Sequence, residues 1–208
     1  MPPRSYRSPV RSAAAGKTRA RIVAAAARLL RRKGIEEFSL VSVAKSARVT
    51  RLTVYNHFGS RRALLEAVFD DRAGHGGLHR IPEAMAEPDP HIALKRLIAI
   101  FCEFWSFDQG AIARLHGVGS SDAQFEDAIR ARNERRRRIL SVLIGRMTER
   151  GDLRPEAATD LTDLLFVLTS FSVFAELSRG RSNDAACALV QSSATDAVKR
   201  AWVVGERG

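Results

Sequence analysis

From Thr50 to Phe58 the chain reads Thr-Arg-Leu-Thr-Val-Tyr-Asn-His-Phe. Wound as a helix, this stretch turns Val54 and Phe58, four residues apart, to an inner face and leaves Arg51, Thr53, Tyr55, Asn56 and His57 mostly outside. A cation, a hydroxyl, a phenol and an amide on one face suit phosphate oxygens and base edges, not an apolar partner. Upstream, Ser39 is placed to cap a short helix in which Val43, Ala44 and Ala47 share a face. Arg48-Val49 makes the turn, and Thr50 caps the second helix. Two short helices about a tight turn, the second polar outside, form the pattern of a helix-turn-helix that offers its second helix to the major groove of double-stranded DNA.

A second set of candidates lies beyond residue 90. Phe101, Phe104, Trp105, Phe107, Phe125, Phe166, Phe171 and Phe174 have the spacing of helical core residues, and the same spacing would line a pocket. On the helix expected over 122–150, the inner stripe runs Ile129, Asn133, Arg136, Leu140, Leu143, Met147 and turns polar at Asn133 and Arg136. A buried guanidinium without a partner is costly, so Arg136 must reach water, an acid or a ligand. A ligand there would be anionic or strongly polar. The run Arg135–Arg138 covers a full helical turn, so most of it is solvated face. His116 either faces the same cavity or is an ordinary satisfied or exposed histidine. The candidate effector contacts are thus Phe101, Phe104, Trp105, His116, Asn133, Arg136 and Phe171.

Other chemistries find little support. His75 and His79 have metal-ligand spacing on a helix, but Gly74, Gly76 and Gly77 undermine that helix, so no metal site is expected. Cys102 and Cys187 are far apart in sequence with no CxxC, which argues against a disulfide framework or a zinc site and fits a reducing cytoplasm. Cys102, among aromatics, reads as a small buried filler. Residues 91–208 hold no paired carboxylates and no nucleophile–base set at convincing spacing, so neither an enzyme nor a cofactor is expected.

The elements that must position these residues are all helical. Residues 17–33 carry Ile22, Ala26 and Leu29 on one stripe, widened by Val23 and Leu30, and end at Gly34. After the helix-turn-helix, Gly59-Ser60 breaks the chain, and a fourth helix runs to about Arg72 with Leu64, Leu65, Val68 and Phe69 inward. Glycines and prolines make 74–90 a weakly helical connector. Helices follow over 91–107, 110–117, 122–150, 156–178 and 184–202. Residues 156–178 are apolar nearly all round between Leu164 and Leu177 and need cover on all sides there. With Ala194, Ala197 and Ala201 of the last helix, they form the expected dimer surface. Strand patterns and phosphate-binding glycine loops are absent. The expected division is a disordered basic arm over 1–16, a DNA-binding domain over 17–73, and a helical effector-binding and dimerisation domain over 74–208.

Charge follows the same division. Of the net +11 over 208 residues, residues 1–80 hold 17 Lys/Arg against 5 Asp/Glu, or +12, and the remainder hold 17 against 18, or −1. The excess lies with the helix-turn-helix and points to a polyanion partner there. No apolar run approaches the roughly 18 residues of a membrane span.

Residues 18–72 resemble the DNA-binding region of the tetracycline-repressor (TetR) family of bacterial regulators. The resemblance runs through Ile22, Ala26, Leu29, Gly34, Ser39, Val43-Ala44, Ala47, Val49-Thr50, Val54-Tyr55, His57-Phe58, Ser60-Arg61 and Leu64-Leu65. It implies an all-α homodimer with three N-terminal helices for DNA and a larger C-terminal domain for a small-molecule effector and dimerisation. Family contacts carry over to Thr50, Arg51, Thr53, Tyr55 and His57, with Lys45 and Arg61 facing phosphates. Two positions depart from the family. Arg48 stands where glycine is usual, at a turn that often has positive φ, which costs a non-glycine residue about 1 kcal/mol; either the turn is slightly reshaped or a phosphate contact offsets the cost. Leu52 stands where a small residue is usual, and either packs inward or touches a thymine methyl. Arg51 can grip a guanine edge or a phosphate, and Tyr55 can brace the helices while its hydroxyl reaches out. His57 reaches phosphate or packs against the fourth helix. The expected function is a repressor that binds a palindromic operator as a dimer and is released by an effector acting through helix 61–72. The alternative is a DNA-packaging protein with no effector.

Overall fold

The structure, a computed structural model, describes residues 9–33, 37–119 and 123–202. It is all-α: α1 (Pro9–Lys33), α2 (Leu40–Ala47), α3 (Arg51–Phe58), α4 (Arg61–His75), α5 (Ile81–Met85), α6 (Pro90–Phe107), α7 (Gln109–Gly119), α8 (Ala123–Glu149), α9 (Ala158–Leu168), α10 (Phe171–Ser178) and α11 (Asn183–Arg200). Among the described residues, extended pairing is limited to an isolated antiparallel bridge between Leu153 and Trp202. None of these helices alone is long and apolar enough to cross a membrane.

The N-terminal helices close as their patterns require. Ile22, Val23, Ala26 and Leu30 of α1 are buried with Val43, Ala44 and Ala47 of α2, Val54 of α3, and Leu64, Leu65 and Val68 of α4. α1 begins at Pro9, eight residues ahead of the expected start at 17. Proline suits a first helical position because the missing N–H has no intrahelical partner there, and Ala13-Ala14-Ala15 then favour helix. The rest of the basic arm, residues 1–8, and the expected cap Gly34 lie outside the described residues.

α4 joins the two halves. It packs on α1 and α3 on one side and on α6, α7 and α8 on the other, and the buried core runs without interruption from α1 to α11. α4 extends to His75, three residues past its expected end. Gly76 follows where a Cβ would lie 2.8 Å from the Phe104 ring and 3.1 Å from its Cα, so the absent side chain lets the end of α4 close on α6.

Two expectations for the C-terminal half are corrected. Residues 156–178 form two helices, with the segments Pro155–Leu168 and Phe171–Ser178 bent by 49°. Thr169 ends α9, and Ser170 takes extended geometry and accepts from the Val173 N–H at 3.3 Å, capping α10. The apolar residues on both sides masked the signal of the Thr169-Ser170 pair. Ala194, Ala197 and Ala201 do not sit on an outer face: they are buried within the subunit, where small side chains let α11 approach its neighbours α6, α9 and α10.

Candidate nucleic-acid interface and effector cavity

The helix-turn-helix is fixed by its own polar side chains. The Ser42 N–H donates to Ser39 Oγ at 3.1 Å and the Ser39 N–H donates to Ser42 Oγ at 2.9 Å, a reciprocal cap on α2. α2 stops at Arg48, which adopts φ 53 and ψ 50, the left-handed conformation expected from its place in the turn. Thr50 Oγ1 accepts from the Thr53 N–H at 3.1 Å and lies 2.9 Å from Thr53 Oγ1, so these two hydroxyls first serve the cap of α3.

Within α3 only Val54 is buried, and Phe58 is half-buried. Arg51, Leu52, Tyr55 and Asn56 are exposed, as are Lys45, Arg48 and Thr50. Leu52 is 66% exposed, so of its two readings, inward packing fails: its side chain stands on the outer face beside Tyr55, itself 56% exposed. Thr53 and His57 are half-buried, and the His57 ring sits 6.2 Å from that of Phe58. Arg61 is partly drawn inward: its Nε donates to the Phe38 carbonyl at 3.1 Å and its guanidinium lies 5.8 Å from the Phe38 ring. Two features escaped the sequence reading because they join distant elements. Arg19 of α1 stacks 5.0 Å from the Phe58 ring, and Arg28 and Arg32 of α1 border one concave surface with Lys45.

The second site is a cavity of about 270 Å³ between α4, α6, α7 and α8. Six of the seven effector candidates line it: Phe101, Phe104, Trp105, His116, Asn133 and Arg136. Phe171 stands behind, its ring stacked on His116 at 5.1 Å and edge-on to Trp105 at 5.6 Å. The sequence reading missed the α4 wall, made by Phe69, Asp70 and Ala73, and the guanidinium of Arg132. Phe69 had an inward place on its helix as core, but its role in the cavity, like those of Asp70, Ala73 and Arg132, depends on residues of other helices.

Arg136 owes its place to the break between α9 and α10. Its Nη1 donates to the Phe166 carbonyl at 2.6 Å and to Thr169 Oγ1 at 2.7 Å, and its guanidinium lies 4.2 Å from the Phe166 ring. A cation set on the last carbonyls of a helix is favoured by the dipole and by the unsatisfied acceptors there. The Trp105 indole N–H donates to the Thr169 carbonyl at 3.0 Å and pins the same corner. Arg136 is 7% exposed, and its Nε has no partner. Burial, reinforced by the neighbouring Arg137, lowers its pKa to about 10, so it stays charged at neutral pH. His116 Nε2 is also buried without a partner. Burial first, then the charge of Arg136, lowers the His116 pKa to about 4, so this imidazole is neutral at pH 7.

Charged contacts tie the cavity to the N-terminal helices. Arg132 of α8 donates to Asp70 of α4 at 2.6 Å and lies over the Phe69 ring at 4.7 Å. At the corner between α6 and α7, the buried carboxylate of Asp108 takes Arg72 of α4 at 3.1 Å and Arg31 of α1 at 3.3 Å. Its other oxygen accepts from the Ala111 N–H at 3.3 Å. Elsewhere, Cys102 of α6 meets Cys187 of α11, a juxtaposition their sequence separation concealed; both thiols are free. The hydrogen bond between them, with burial, raises the Cys102 pKa, while the same bond lowers that of Cys187. Among the described residues no group of three or more His, Cys, Asp or Glu is arranged to hold a metal. His75 and His79 each turn Nδ1 to a backbone carbonyl instead.

Residues 22–68 match the family model described as bacterial regulatory proteins, tetR family. The HTH-type transcriptional regulator TtgR of Pseudomonas putida is 34% identical over 85 residues, a match that spans 40% of this chain and 40% of that protein. Among solved structures, a TetR transcription regulator from Haloarcula marismortui superposes with a TM-score of 0.73 at 16% identity, covering 90% of this chain and 100% of that one. NalD of Pseudomonas aeruginosa, described as the secondary repressor of the MexAB-OprM multidrug efflux pump, superposes with a TM-score of 0.72 at 19% identity, covering 93% and 99%. Residues 22–68 thus match the tetR-family module, and the chain as a whole shares the fold of these solved regulators.

Proposed function

We propose that the protein is a cytoplasmic, ligand-responsive transcriptional regulator, most simply a repressor, that binds a palindromic operator as a homodimer and leaves it when a small molecule enters the cavity. The observation that carries this reading is the position of α4. The same helix packs on the DNA-facing helices and walls the cavity with Phe69, Asp70 and Ala73. In this reading residues 17–73 bind DNA and 74–208 bind the effector and dimerise. Arg51, Leu52, Tyr55 and Asn56 meet base edges or phosphates. Lys45, Arg48, Thr50, Thr53, His57 and Arg61 meet phosphates and fix register. Exposed Leu164 and Val167 on α9 and Leu189 on α11 supply the apolar dimer face within 156–202.

Support comes from the +12 charge of residues 1–80 and from relatives described as transcriptional regulators and repressors. Selection of bound duplexes from random DNA tests the reading. It should enrich two inverted half-sites with centres about one helical turn apart, or a multiple of it. A pool that remains random would instead favour the packaging alternative.

A further inference from the structure

The cavity is apolar over most of its wall and carries a lopsided set of charges. Arg132, Arg135 and Arg136 of α8 border it, and the acid among the lining residues is Asp70. Arg136 is more than nine-tenths buried with Nε unpartnered, and the partnerless His116 Nε2 is on the same lining. Arg135 is exposed to solvent and Arg132 is paired with Asp70, so a cationic guest would face the uncompensated charge of the buried Arg136. A neutral guest would leave that positive charge without an added partner in an apolar enclosure. A carboxylate meets it with the planar, two-oxygen geometry that guanidinium groups recognise best. Phe101, Phe104 and Trp105 line the same cavity, and aromatic side chains suit an aromatic guest. Since a cavity of about 150 Å³ accommodates benzene, roughly 270 Å³ accommodates about a dozen heavy atoms.

We propose that the effector is a flat aromatic monocarboxylate, and that its carboxylate competes with Asp70 for Arg132. This deepens the regulator reading and rests on it for the consequence of binding. The Arg132–Asp70 pair joins α8 to α4. An anion that draws Arg132 into the cavity removes this tie and leaves α4 freer to move with α1–α3. The differential contact lies in the Arg132–Asp70 pair, which the unliganded state has and the liganded state exchanges.

Titration calorimetry on the full chain with three naphthalene probes of similar size tests the class: 1-naphthoate, uncharged 1-naphthamide and cationic 1-naphthylmethylammonium. Naphthoate should bind about tenfold or more tightly than either of the others. Arg132→Gln should erase most of that preference, and Asp70→Asn, which removes the competing carboxylate, should tighten naphthoate severalfold. Arg132 is the variant of choice because Arg136 also holds the end of α9. Equal binding of the three, tighter binding of the ammonium, or naphthoate binding weaker than ~1 mM would overturn the class. The competition step is read separately, on duplex enriched from random DNA: naphthoate should lower occupancy by the wild type, and Asp70→Asn should lower it without ligand. Naphthoate bound with occupancy unchanged overturns the competition. Failure to enrich any duplex overturns the regulator reading and leaves the calorimetric result to judge the ligand class by itself.

Discussion

His116 is a titratable ring held neutral between Phe171 and Trp105, and its low pKa makes stability depend on pH. The unfolded chain protonates near the ordinary 6.5 and the folded chain only near 4. The contribution of the neutral ring is therefore complete above pH 6.5 and is lost as pH falls from there towards 4. About 1.4 kcal/mol per pH unit sets an upper scale on the order of 3 kcal/mol. Thermal melts of His116→Phe should lose much of the wild-type decline between pH 7 and pH 5, the phenyl ring keeping the stack. Arg48 offers an independent check. Its left-handed backbone costs a side-chain-bearing residue, so Arg48→Gly should stabilise the protein by about 1 kcal/mol in urea titration. If Arg48 touches phosphate, the same change lowers the salt slope of DNA binding by about 1. Arg51 separates base reading from phosphate contact. Arg51→Ala should weaken the preferred duplex by about 1–3 kcal/mol and flatten its sequence preference; a uniform loss over all duplexes would assign Arg51 to phosphate.

Among the elements, α4 and the corner between α9 and α10 have unequal histories in the sequence. Most of the helix-turn-helix was legible because its determinants are local: Ser39, Thr50 and Ser60 each cap the helix that follows, and Val43, Ala44, Ala47 and Val54 keep a short period. The cavity was legible only where a polar residue interrupted an apolar stripe, as at Asn133 and Arg136. Asp70, Arg132 and Asp108 carried no such mark, since each gains its role from a residue on another helix. The break at Thr169–Ser170 did carry a local signal, the cap Ser170, but the apolar residues on both sides masked it, and the bend is also held by Arg136 and Trp105 from outside the segment. Asp108 gives the prediction at this scale. Asp108→Asn leaves Arg72 and Arg31 without their shared carboxylate and should cost on the order of 2–3 kcal/mol, Arg72 being the more buried partner. Denaturant unfolding measures the loss, and hydrogen exchange should place the loosening at α4 and the α6–α7 corner.

For the whole molecule, a continuous core through α4 means that the two halves do not move as beads on a string. A coupling of about 1–3 kcal/mol between cavity and recognition helix suffices to change occupancy several-fold or more. The proposed homodimer would set the geometry of reading, since one eight-residue α3 covers few bases. Val167 is 55% exposed on α9, and Val167→Glu together with Leu164→Glu should shift the protein towards monomer in sedimentation without unfolding it. The central claim is that α3 and its basic surroundings read sequence rather than charge alone. It is tested most directly by competition between the enriched duplex and random duplex of equal length at one salt concentration. A preference of about a thousandfold or more for the enriched duplex is expected; equal affinity for the two would mean that α3 reads charge alone.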